Sequence, residues 1–73
     1  MDIEYIKNRL YFIFDELNIE VGENGYFDAE SIEIIQLIVL IEECFNIQFP
    51  IDLLDFDKLK SFEYYIGIVC ELV

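Results

Sequence analysis

Three features of this 73-residue sequence predict an all-α fold, a four-helix bundle with one short member. Apolar residues recur at helical spacing through three long segments. Turn-forming Gly22, Asn24 and Gly25 gather between the first two of these, and the single proline, Pro50, follows the second. The chain is also 56% hydrophobic, with seven Phe and five Tyr. At this length one core is barely sufficient, so large side chains must supply the burial that chain length cannot. There are no repeats, low-complexity runs or linkers, and residues 1–73 read as one domain.

The first helix is expected over residues 2–17, where Ile3, Ile6, Leu10, Ile13 and Leu17 step by three and four along one face. Tyr5, Tyr11, Phe12 and Phe14 widen that face enough for two neighbours. A loop over residues 18–30 follows, longer than most connections, with Tyr26 and Phe27 expected to pin its end to the core. The second helix is expected at Ser31–Phe45, with Ile34, Leu37, Ile38, Ile41 and Phe45 facing inward. Beyond Pro50, residues 52–57 carry Leu53, Leu54 and Phe56 and are expected to form a turn or two of helix against the second helix. The last helix, residues 61–72, has Ser61 as a candidate N-cap and presents Phe62, Tyr65, Ile66, Val69 and Val73 inward.

The second helix has more apolar residues than one buried face uses. Ile32, Ile35 and Val39 are left over, stepping along a different side, flanked by Glu33, Gln36, Glu42 and Glu43. Exposed apolar side chains rimmed by acid form a docking surface, the centre giving adhesion and the rim orientation. The competing expectation is a central helix buried nearly all round. Ser31 opens the same helix in the run Phe27-Asp28-Ala29-Glu30-Ser31-Ile32. It is either an ordinary N-cap or a site where a phosphate esterified to Oγ lies against the free N–H groups of the helix start.

From about Asn24 onward the chain resembles the acyl carrier protein family, with its peptidyl and D-alanyl relatives. The resemblance is carried by Glu30-Ser31-Ile32, Glu42-Glu43, Phe45 and Ile47-Gln48-Phe49-Pro50, at the spacings from the serine that the family uses. Ala29-Glu30 depart from the family's usual Asp or glycines at those places. The resemblance implies a bundle of acyl-carrier type and covalent phosphopantetheine, transferred from coenzyme A to Ser31 by a phosphopantetheinyl transferase. An acyl or aminoacyl cargo would be held as a thioester, loaded by a ligase and passed to downstream acyl-processing enzymes. It further implies partner contacts through Glu30, Ile32, Glu33, Ile35, Gln36, Val39, Glu42 and Glu43, and a discrete, monomeric carrier.

Composition narrows the remaining classes. Sixteen Asp and Glu against four Lys and Arg give a formal net charge of −12, which repels nucleic acid and favours a partner with a basic surface. No stretch reaches the roughly 20 apolar residues of a membrane span. Met1-Asp2-Ile3-Glu4 puts acid where a signal peptide carries basic charge, so a cytoplasmic location is expected. Without histidine, Cys44 and Cys70 have neither a zinc partner nor a general base, and no enzyme activity is expected. Asp52, Asp55 and Asp57 lack the turn glycine and closing Glu of a calcium loop. The alternative to a carrier is an unmodified acidic helical module that binds a basic partner surface.

Overall fold

Asp2 starts the first helix by accepting the Glu4 N–H on its carboxylate (3.3 Å), and the chain then runs helical as α1 (Ile3–Glu16). The computed structural model describes residues 2–73. α1 ends in a Schellman motif. Asn18 is left-handed (φ 57°), its N–H reaches Asp15 C=O, and Ile19 N–H reaches Phe14 C=O at 2.9 Å. Asn tolerates this conformation better than a branched residue, and it turns the chain so that Ile19 is buried.

The loop beyond is tied down by backbone bonds. Gly22 N–H donates to Tyr26 C=O, and Asn24 Oδ1 accepts the Tyr26 N–H. Gly25 takes φ +84°, a conformation a side chain disfavours. Tyr26 forms an isolated antiparallel bridge with Ser61, flanked by Phe27 N–H to Lys60 C=O (3.0 Å) and Phe62 N–H to Gly25 C=O (2.9 Å). Phe27 is buried as expected. Tyr26 is not; its backbone pins the loop while its ring is 57% exposed.

α2 (Ser31–Phe45) has the expected bounds, and Ile34, Leu37, Ile38, Ile41 and Phe45 are its buried residues. Left-handed Asn46 ends it, with Ile47 N–H on Glu42 C=O. α3 (Phe62–Leu72) buries Phe62, Tyr65, Ile66, Ile68 and Val69. Val73 is exposed, because it follows the last helical residue and has no facing element. Ser61 occupies the N-cap position of α3 without a side-chain cap bond.

The segment between α2 and α3 departs from expectation. In place of a short helix over residues 52–57 there are two 3₁₀ turns, Ile51–Leu53 and Lys58–Lys60. Between them Leu54 leaves helical dihedrals (φ −90°, ψ 70°), and Asp55 Oδ1 takes the Asp57 N–H, the local bond by which Asp competes with a helix. Leu54 and Phe56 are exposed, and of the three apolar residues only Leu53 is half-buried against the core. The fold is therefore all-α, with three α-helices and no β-strand among the described residues.

The core is aromatic at its centre. Phe14 meets Phe27, Phe62 and Tyr65 edge-on, with centroids 4.9 to 5.9 Å apart, the geometry ring quadrupoles prefer. Tyr65 is fully buried, and its hydroxyl donates to Leu59 C=O at 2.6 Å. Burial, with the neighbouring Tyr64 adding to it, raises the Tyr65 pKa well above the ordinary phenol value. On the α1 face expected to be inward, Ile6, Leu10 and Ile13 are buried, whereas Ile3 is exposed and Leu17 half-buried. Of the four aromatics that widen this face only Phe14 is buried; Tyr11 lies half out, stacked on Phe62 at 4.5 Å.

Candidate functional site

The start of α2 is where the candidate residues converge. Glu30, still extended (φ −78°, ψ 162°), holds the N-cap position, and Ser31 is the first helical residue. Ser31 is therefore not the cap. Glu30 and Glu33 form a capping box in which Glu33 Oε1 accepts the Glu30 N–H at 2.9 Å, with a looser return bond from the N–H of Glu33. The α-helical ladder begins with Ile34 N–H on Glu30 C=O. The N–H groups of Ser31 and Ile32 precede it, at the positive end of the helix dipole. Ser31 is exposed.

One cation is delivered to this end by the fold. Lys60 lines an open groove with Asp28, Ala29, Glu30 and Glu33. It gets there because its carbonyl holds the Phe27 N–H beside the Tyr26–Ser61 bridge. No signal local to Ser31 announces it; two short backbone bonds across the loop decide its place.

Along the outer face of α2, Ile32 (59%), Ile35 (49%) and Val39 (45%) are exposed. Ile35 lies one turn from both Ser31 and Ile32, and Val39 one turn further. The stripe therefore begins beside the serine hydroxyl. Its flanks divide into two kinds. Glu30, Gln36 and Glu43 are exposed. Glu33 and Glu42 are half-buried and bonded to backbone, Glu33 in the capping box and Glu42 through Oε2 to the Phe49 N–H at 2.8 Å. That second bond folds the chain leaving α2 back onto the helix and seats Phe49 in the core. Spacing marks Glu42 as a member of the rim but carries no sign of this bond, which depends on the turn at Asn46.

The cysteines are free, Cys44 half-buried and Cys70 exposed. Arg9 Nε donates to Cys44 Sγ at 3.4 Å, and the guanidinium lies 5.5 Å from the centre of the Phe12 ring. Hydrogen bonding to the sulfur raises the Arg9 pKa further above its already high value. Among the described residues no three His, Cys, Asp or Glu side chains are grouped to hold a metal ion, and no helix is long and apolar enough to cross a membrane.

The arrangement offers an accessible hydroxyl at a helix start, two adjacent N–H donors, a lysine lining the neighbouring groove and an apolar strip leading away from the serine. This set fits a phosphate ester: the hydroxyl is reachable and the N–H donors favour its charge, with Lys60 the one cation among the carboxylates of Asp28, Glu30 and Glu33 in the neighbouring groove. No family model matches the chain, and neither does any curated protein or solved structure.

Proposed function

We propose that the protein is a discrete carrier whose Ser31 Oγ bears phosphopantetheine and whose α2 face presents the attached cargo to partner enzymes. The observation that carries this reading is the exposed Ser31 at the first turn of α2, with the exposed strip of Ile32, Ile35 and Val39 beginning at the next residue. The prosthetic group, when attached, supplies a terminal thiol that holds an acyl or aminoacyl group as a thioester. This chain's residues hold and orient. The N–H groups of Ser31 and Ile32 and the Lys60 ammonium favour the phosphate, Glu30 and Glu33 fix the helix start, and the apolar strip with Glu43 and Gln36 meets the partner.

In this reading the protein is a cytoplasmic monomer with no catalytic residues of its own. Its partners are the phosphopantetheinyl transferase, a loading ligase and acyl-processing enzymes. The two 3₁₀ turns stand where a carrier bundle has its short third helix, so the acyl-carrier form of a four-helix bundle belongs to this proposal. Fatty acyl, polyketide, aminoacyl and D-alanyl cargoes all suit it.

The test is intact mass after incubation with coenzyme A and a broad-specificity phosphopantetheinyl transferase. The expected result is a gain of one phosphopantetheine on the wild-type protein and none on Ser31→Ala, with the helical circular dichroism unchanged. No gain on the wild type with several transferases, or an equal gain on Ser31→Ala, overturns the assignment. One observation favours the unmodified acidic module instead: the Glu30–Glu33 box already satisfies part of the helix start from within the chain. The same mass measurement separates the two.

A further inference from the structure

α1 and α2 run antiparallel, since Arg9 meets Cys44 at one end of their seam while Leu17 lies beside Ile35 and Val39 at the other. Two open grooves follow the outside of this seam and share Leu40. One, of about 330 Å³, has Leu17, Ile35 and Val39 along it; the other, of about 290 Å³, has Phe12, Ile13 and Cys44. From Ile35 to Cys44 the seam spans roughly 14 Å, about two and a half turns of a helix laid along it.

Its charges are mixed and unevenly placed. The chain has only four cations, and one of them, Arg9, stands on the α1 wall of the seam. It is held there by Cys44 Sγ and the Phe12 ring, and the bond to sulfur uses one of its five N–H donors. Opposite, on the α2 wall, is Glu43, and further along the α1 wall is Glu16. A cation and an anion facing each other at one end, with a second anion along one side, are not equivalent under reversal of direction.

We infer that this seam is a docking groove for an amphipathic helix of a partner protein, with an apolar ridge over Leu40, a carboxylate facing Arg9, and cations facing Glu43 and Glu16. Charge complementarity selects this occupant and its direction, because a reversed helix would set like charges together. A second copy of this chain is a poor occupant: α2 and α3 contain no Lys or Arg to meet Glu43 and Glu16, the Lys7 and Arg9 of α1 are outnumbered by its own Glu4, Asp15 and Glu16, and each copy carries a net charge of −12. The groove differs from the α2 strip in drawing half its wall from α1, and its occupancy does not require Ser31 to be modified.

The experiment titrates a synthetic helical peptide into the ¹⁵N-labelled full chain, followed by amide shifts. The peptide carries a leucine ridge, one flanking Glu at the Arg9 end and two Lys placed for Glu43 and Glu16. Saturable shifts at Arg9, Phe12, Leu40 and Cys44 are expected. Arg9→Glu should weaken binding about five- to tenfold, the scale of an exposed ion pair turned repulsive, and replacing the peptide Glu with Lys should restore it. Arg9→Gln, with an intermediate loss, covers the case in which Arg9→Glu disturbs folding, and Leu40→Ser should also weaken binding. Shifts confined to Ile32 and the 51–60 segment, or equal affinity of the wild type for the Glu and Lys peptides, overturn the inference. On Ser31→Ala the peptide result is expected to be unchanged, so it stands or falls apart from the mass measurement.

Discussion

α2 and the 51–60 segment are both rich in large apolar residues, yet one is a helix with a dry face and the other two short turns with Ile51 85% exposed. The difference lies in what local chemistry permits before packing begins. α2 has a capping box at its start, a left-handed Asn at its end and fifteen residues between, enough for four turns that share one buried face. The later segment follows Pro50, is interrupted at Leu54, and holds Asp55 where its carboxylate bonds Asp57 N–H in place of a helical turn. Apolar content alone therefore does not make a helix with a continuous buried face; caps and an uninterrupted period do, and in the later segment only Leu59 is fully buried.

The contrast is broken most severely from the α2 side. Leu37→Ala or Ile41→Ala removes a fully buried side chain and is expected to cost about 2–5 kcal/mol, a large share of the stability of a domain this small. Leu54→Ala is expected within about 0.5 kcal/mol. Urea unfolding of the three variants checks it, and a Leu54 effect as large as that of Leu37 would mean that the segment packs as tightly as α2.

Next in size is an effect of pH. Tyr65 has a raised pKa when folded, so its contribution is fully present below the unfolded phenol value and is lost as pH rises beyond it. Above roughly pH 10 the unfolded chain releases a proton that the folded chain keeps, and stability should fall by up to about 1.4 kcal/mol per pH unit. Tyr65→Phe should remove that slope while costing about 1 kcal/mol for the lost bond to Leu59 C=O. Unfolding midpoints from pH 8 to 11 decide between a flattened and an unchanged slope.

Smaller still is the distinction between the two carboxylates that end α2. Glu42→Ala leaves the Phe49 N–H without its acceptor and is expected to cost about 1–2 kcal/mol, whereas Glu43→Ala should stay within about 0.5 kcal/mol. Glu43→Lys is consequently the cleaner probe of partner capture. It should weaken binding of a basic partner and flatten its dependence on salt, measured by titration across ionic strength. Smallest is the effect of Ile32→Ser with Val39→Ser. Unfolding should be nearly unchanged because both side chains are already half in water, and transferase modification should slow.

The sequence by itself determined the three long helices, the five buried residues of α2 and the exposed strip beside Ser31. These follow from a period of 3.6 residues and from short-range caps, information carried within one or two turns of chain. The tertiary structure alone decided that Glu42 turns from the rim to hold Phe49, that Lys60 lines the groove beside Glu30 and Glu33, and that Arg9 bonds Cys44. It also decided that Tyr26 stays outside while its backbone bridges Ser61. Each of these outcomes depends on which backbone groups are left unsatisfied once the chain has turned. That choice is made between residues distant in sequence or across a turn, where no periodic pattern records it.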